Sequence, residues 1–328
     1  MQSRVRTLPM LLSLVLLTLV VFCCSLAIGS VSLPLSSVLA ALHHGGDPLS
    51  RTLVLGLRLP RALTAFAVGG LLALAGALMQ VLLRNPLADP YILGVSGGAA
   101  VGALGALLAG VGSFWISGSA FVGALVSMLV VFMLAHGRGG WTPTRLLLTG
   151  IVVAFGWSAL ISFMLVLSDN ASLHGMLFWL MGDLSYRGSP WLPLILLAIG
   201  LLAWLPFARH LNVLARGETL AEALGIAVKP FSIGIYISAS LFTASAVSEA
   251  GAIGFVGLVI PHLLRLISGS DHRSLLPGAV LAGGSLLMLA DTLARTVLAP
   301  QQLPVGVVTA AIGVPLFLYL LNRARGPL

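Results

Sequence analysis

One lysine, Lys229, stands in a chain of 328 residues, and Asp, Glu, Lys and Arg together make up only 8% of it. Soluble domains carry about 25% charged residues, so an ordinary water-facing shell cannot be built from this composition. Cysteine is almost absent. Cys23 and Cys24 lie side by side in an apolar run, which supports neither a disulfide framework nor a metal site and suits small buried hydrophobes. Also missing is the run of spaced glycines ending in Gly-Lys-Ser/Thr that cradles nucleotide phosphates: Lys229 sits between Val228 and Pro230, so the chain does not hydrolyse ATP by that route. The formal charge of +8 could suggest nucleic acid. The basic residues, however, are scattered between apolar runs and form no stripe with interleaved aromatics, so no nucleic-acid partner is expected.

What is present is grease and small residues. Hydrophobic residues reach 59% and the mean hydropathy is +1.09, more apolar surface than a soluble core of this size can hide, which leaves lipid as the remaining solvent. The 38 glycines, about 12% against a usual value near 7%, predict helices that approach closely in a membrane. A span needs about 20 apolar residues with its backbone satisfied within the helix. Ten segments qualify: 8–28, 62–83, 92–109, 117–135, 146–167, 191–207, 231–248, 253–266, 275–298 and 305–321. Segment 253–266 is short and contains Pro261, so it reads as tilted or broken, and 173–181 as re-entrant or interfacial. The first apolar stretch is longer than a signal-peptide core of ~7–15 residues and is read as a helix.

An even number of spans puts both termini on one side, and the positive-inside bias chooses which. With the termini inside, the cytoplasmic segments hold Arg4, Arg6, Arg84, Arg138, Arg145, Arg209, Arg216, Lys229, Arg265, Arg273, Arg323 and Arg325, against Arg51, Arg58, Arg61, Arg187 and Arg295 outside. Both termini are therefore expected in the cytoplasm. The longest hydrophilic interruption, 209–230, falls on that side. Its Gly217-Glu218 start and its Gly225 stop predict two short helices on the membrane surface, more than the ~2–8 residues a bare helix connection needs, and hence a docking element for a cytoplasmic partner.

Few ionisable groups fall within the spans, so the relay expected of a proton-coupled carrier is not evident. Asp291 lies four residues before Arg295 and reads as an i,i+4 ion pair near a helix end. Glu249 reads as a solvated or capping carboxylate, and His262 after Pro261 as a satisfied histidine at a helix kink. A transporter with no energy source of its own and a folded cytoplasmic loop points to a separate ATPase subunit. An autonomous channel or secondary carrier stays open as the alternative.

The stretch RLPRALTAFAVGGLLALAGALMQVLLRNPLADPYILGVSGGAAVGA at 58–103 resembles the signature region of the FecCD-type permeases, membrane subunits of type II ABC importers for vitamin B12, ferric siderophores and heme. GAIGFVGLVIPHLLRL at 251–266, DHRSLLPGAVLAGGSLLMLADTLAR at 271–295 and LPVGVVTAAIGVPLFLYLL at 303–321 continue the likeness in family order. The resemblance implies an all-α, polytopic fold of ten helices with inverted repeats, making residues 1–328 one permease domain. It implies a homodimer with two cytoplasmic ATPase subunits, a periplasmic substrate-binding protein, and location in the bacterial inner membrane. No catalytic residue, metal site or cofactor is expected in this chain; ATP with magnesium belongs to the ATPase partner.

Residue by residue, the resemblance gives Arg58, Arg61 and Arg295 the role of gripping carboxylates of the binding protein, which suits a guanidinium held charged at any working pH. It makes Asn212, Arg216, Gly217, Glu218, Ala221, Leu224 and Gly225 the contacts for the ATPase. Ser162, Phe163 and Val166 on the fifth span become candidate lining of the pathway. Asn85, Pro86, Asp89 and Pro90 form an architectural turn in which Asp89 caps the next helix. The fifth span carries no His or carboxylate with which to pass a naked cation, which disfavours zinc or manganese. Heme is placed first as cargo, then siderophores, then corrinoids.

Overall fold

The computed structural model describes residues 2–29, 31–43, 45–136, 142–185 and 189–323, and among these there is no strand. Arg138, Arg187 and Arg325, used above for topology, lie outside the described residues. Helix α1 (Gln2–Ala27) is followed by α2 (Leu35–Leu42) and α3 (Pro48–Arg51), and a π-helical turn (Thr52–Arg58) runs directly into α4 (Leu59–Leu82). A 3-10 turn (Pro90–Leu93) precedes α5 (Val95–Leu108), α6 (Ser113–Ala135), α7 (Pro143–Leu167) and α8 (Asn170–Leu180). The chain continues as α9 (Trp191–Trp204), α10 (Ala208–Leu214), α11 (Glu218–Ala223), α12 (Val228–Ala250), α13 (Val256–Ser268), α14 (His272–Thr296) and α15 (Val305–Arg323).

All ten expected spans are helical. Six are long and apolar enough to cross a membrane alone, α9 and α10 form a pair bent by 68°, and α5, α13 and α15 are shorter apolar helices. The second span differs most from expectation: it begins at Pro48, not at residue 62, and is 35 residues long. Arg58 and Arg61 read as terminators because hydropathy treats every charge as solvated, whereas both guanidinium groups are satisfied inside the protein. The segment read as re-entrant is the 11-residue helix α8, whose first turn is capped by Asp169 accepting from Ser172 N at 3.3 Å.

Helix α4 is the hub, packed against α9, α12, α13 and α14 and buried along nearly its whole length. Glycine makes that possible. A Cβ on Gly69 would stand 2.3 Å from the Gly283 carbonyl oxygen of α14, and one on Gly76 would stand 1.9 Å from the Gly257 carbonyl oxygen of α13. Only residues without a side chain allow backbones so close. By contrast α1 exposes Leu8, Leu12, Leu16 and Leu19. Cys23 and Cys24 are exposed on it too, against the expectation of burial, because an apolar helix face turned to lipid needs no protein cover.

A helix of 13 or 14 residues spans about 20 Å, less than the ~30 Å hydrocarbon thickness, and α13 and α5 are each led in by chain outside the α-helices, 251–255 and 85–94. Polar groups there are satisfied by side chains, as a membrane interior requires. Ile253 N donates to the Tyr91 hydroxyl (3.1 Å). Gly94, in left-handed backbone, gives its carbonyl to Ser127 Oγ (2.8 Å), whose oxygen in turn accepts from Trp157 Nε1 (2.8 Å). Asp89 caps the 3-10 turn as expected, accepting from Tyr91 N at 2.8 Å. The helix α13 runs unbroken through Pro261. His262, expected to be satisfied, has a buried Nδ1 with no hydrogen-bond partner and stands edge-on to Phe317 at 6.5 Å. Glu249 sits half-buried in the last turn of α12.

Candidate functional site

Each end of α14 carries a cluster of polar side chains. At its C-terminal end Asp291, 1% exposed, takes Arg61 on Oδ1 (2.8 Å) and Arg295 on Oδ2 (3.0 Å). The i,i+4 pair read from sequence is there, and the partner 230 residues away was invisible to it. Arg295 is 9% exposed and donates further toward Ser25 O and Thr292 Oγ1 (3.5 and 3.4 Å). Arg58, 5% exposed, donates to the carbonyls of Leu26 and Ala27 (both 2.8 Å) and of Val31. Those are among the last carbonyls of α1 and just beyond, groups left without intrahelical partners at the negative end of a helix. The last turn of α1 supplies no basic residue of its own, and that lack is the one sequence signal that could have pointed to Arg58 as its terminator.

Arg61 is the least buried of the three, its side chain 16% exposed. Its Nη1 reaches Gln302 Oε1 and Ser185 Oγ at 3.2 and 3.4 Å. These groups border an open cavity of about 630 Å³ lined also by Gly29, Leu57 and Arg58. Arg58, Arg61 and Arg295 all line the cavity while a single carboxylate, Asp291, pairs with two of them, so the cavity is electropositive.

At the opposite end of α14, Asn212 of α10 is turned inward. Its Nδ2 donates to Asp271 Oδ1 (2.9 Å), and its Oδ1 accepts from His272 N (2.8 Å) and faces His272 Nδ1 at 2.6 Å. A carboxylate can only accept, so the amide of Asn212 faces Asp271, and the oxygen left for the histidine requires a proton on Nδ1. The Arg273 guanidinium, with Asn212 behind it, holds Asp271 well below the usual carboxylate range against the opposing effect of partial burial. Helices α10 and α11 are the two short helices expected of this loop, with Gly217 (φ 128°) between them and Gly225 (φ 80°) ending the second. Arg216, Leu224 and Gly225 are exposed, Gly217 and Glu218 half-buried, and Ala221 is wholly buried beneath them. Glu218 also meets Arg84 at 3.1 Å across the surface.

The third feature is α7, which turns Leu148, Val152, Phe155, Phe163 and Val166 outward, each more than half exposed. Ser162 is exposed as well and bonds the carbonyl of Ser158 at 2.9 Å.

The profile of the FecCD transport family matches residues 17–323 of this sequence. The chain belongs to the FecCD transport family. The cobalamin import system permease protein BtuC of Halobacterium salinarum is 44% identical over 291 residues, covering 86% of this chain and 77% of that protein. The vitamin B12 import system permease protein BtuC of Escherichia coli O9:H4 is 42% identical over 284 residues, covering 85% of this chain and 86% of that protein. Among solved structures, an inward-facing conformation of a putative metal-chelate type ABC transporter matches with a TM-score of 0.84 at 33% identity, covering 95% of this chain and 98% of that one.

The protein is therefore an ABC importer permease, a multi-pass membrane protein of the FecCD family. Such permeases work with ATPase and binding-protein partners. In FecCD terms the sequence-derived positions fall into three separate places: Arg58, Arg61 and Arg295 at one end, Asn212 to Gly225 at the other, and Ser162, Phe163 and Val166 along the open face of α7. Asp291, Ser185, Gln302, Asp271 and His272 join the two end clusters and were not singled out as site residues. All except Asp291 lack a local pattern that would mark them.

Proposed function

We propose that this chain is the membrane-spanning subunit of a corrinoid importer. What carries the reading is the identity of 42–44% to permeases named for vitamin B12 and cobalamin import; heme, placed first from sequence alone, has no comparable support among these relatives. Two copies form the pathway between their α7 faces, where Ser162, Phe163 and Val166 meet the cargo. An apolar lining suits a large, partly hydrophobic chelate. The pairing would cover Leu148, Val152, Phe155, Phe163 and Val166, which make up the exposed face of α7.

In this reading both termini lie in the cytoplasm of a bacterial inner membrane. Each copy seats an ATPase subunit, which binds ATP and magnesium, against Arg216, Gly217, Glu218, Leu224 and Gly225. A periplasmic binding protein docks on the electropositive end, where a carboxylate takes the Arg61 Nη1 in place of its long contacts to Ser185 and Gln302. Arg58 and Arg295 are buried, so they act there by shaping and charging the cavity, and Asn212 and Ala221 act from beneath the ATPase surface.

Proteoliposomes holding the complete complex, given binding protein outside and ATP inside, will accumulate cyanocobalamin, read by its visible absorption, and not hemin. Accumulation of hemin or of a ferric siderophore alone would overturn the corrinoid reading. Equal flux through the chain with no ATPase present would overturn the importer reading altogether.

A further inference from the structure

We infer that α14 is the rigid link between the two docking ends of the permease, and that Asn212 and His272 are the positioning pair seated at its foot. The inference rests on the docking reading given above. From His272 to Arg295 the helix is continuous over about 36 Å at 1.5 Å per residue, and its Pro277-Gly278 step is packed against Leu264 of α13 and Leu14 of α1. Its head is clasped by Arg61 through Asp291, at the rim of the cavity where a binding protein would arrive. Its foot is clasped by Asn212, the one side chain of α10 that bonds to Asp271 and to both the backbone and the ring of His272. The His272 ring is buried and its Nε2 has no partner, so Asn212 supplies the ring's polar contact.

Between the clasps α14 is held against its neighbours without slack. Its Gly283 crosses Gly69 of α4 backbone to backbone, and Ser285 Oγ meets Thr18 Oγ1 of α1 at 2.8 Å. A close-packed helix held in this way moves as a body, so a displacement at one end reaches the other.

The competing routes are weaker or separable. Helix α4 meets the same loop through Arg84 and Glu218, whose side chains are 40% and 44% exposed, so water and salt compete for that pair. Helix α12 follows α11 directly and reaches the cavity wall through the bond from Asp183 N to Ala250 O (2.9 Å). Removing the Asn212 side chain leaves both routes intact, which makes it the discriminating change.

The experiment uses the complete complex, purified through a tag on this chain and reconstituted in liposomes, with ATPase rate measured against binding-protein concentration. Asn212→Ala lowers the ratio of stimulated to unstimulated rate by at least about fivefold, the low end of coupling factors between sites, while the half-saturating binding-protein concentration stays put. Asn212→Asp combined with Asp271→Asn exchanges the two groups, keeps an oxygen at position 212 facing the His272 ring and an amide-to-carboxylate hydrogen bond between positions 212 and 271, and restores the ratio. A ratio unchanged by Asn212→Ala assigns transmission to α12 or α4 and overturns the proposal. A wild-type ratio of one instead overturns the docking reading.

If the alanine variant does not assemble, the head of α14 is changed and its foot observed. In the full chain in nanodiscs, Asp291→Asn raises amide hydrogen exchange in 208–225. Exchange there that matches wild type sinks the proposal.

Discussion

Gly76→Ala and Gly118→Ala are the same chemical change in two helices of one membrane protein, and they should shift stability in opposite directions. A Cβ on Gly76 would lie 1.9 Å from the carbonyl oxygen of Gly257 and 2.7 Å from its Cα. Relieving that overlap requires α4 and α13 to part by roughly 1 Å or more, and α4 cannot yield, because Gly69 is already against Gly283 in α14. Overpacking a tight interface typically costs ~1–3 kcal/mol and occasionally more; with backbone as the obstacle the upper part of that range applies. The helix-propensity gain of alanine over glycine returns at most about 1 kcal/mol. A net loss of about 2 kcal/mol or more follows for Gly76→Ala. At Gly118 a Cβ meets nothing within 4 Å, so that variant should match wild type or gain up to about 1 kcal/mol. Reversible unfolding in mixed micelles, followed by tryptophan fluorescence, reads the difference of about 2–3 kcal/mol between the two. Equal midpoints would refute the claim that glycine sets the spacing of the α4 crossings.

Removing Asp291 leaves Arg61 and Arg295 charged with no counterion at exposures of 16% and 9%, so Asp291→Ala should cost ~3–5 kcal/mol in the same assay. Glu218→Ala breaks a pair that is 40–44% exposed and should cost less than about 1 kcal/mol, less still at high salt. Asp89→Ala removes the acceptor for the Tyr91 N–H and should cost about 1 kcal/mol in the same assay, whereas Asp89→Asn keeps that acceptor and should recover most of the loss.

Hydropathy made six of the expected spans legible because lipid imposes a local rule, about 20 apolar residues in a row, which α5, α13 and α15 do not meet by themselves. The two short helices of 209–230 and the Asp89 cap were legible for the same reason: Gly217, Gly225 and Asp89 each act within a few residues of themselves. The i,i+4 pair of Asp291 and Arg295 belongs to the same class. Arg58 and Arg61 were misread as the edge of a span because what neutralises them, the end of α1 and the carboxylate of Asp291, is about 30 and 230 residues distant. Asn212 was legible as a member of the loop but not as its anchor, since its partners Asp271 and His272 are supplied by another helix. The buried, unpartnered Nδ1 of His262 had no signature either, because a histidine after proline looks alike whether its ring is satisfied or not.

Lys229 is exposed in the first turn of α12, four residues past Gly225 at the end of α11. Apart from the α-amine, it is the sole primary amine of the polypeptide. Acylating reagents therefore modify one internal address, and how fast they do so registers whether the adjoining surface is bare or covered. The protein carries a built-in reporter for occupancy of that face, with no engineered label required.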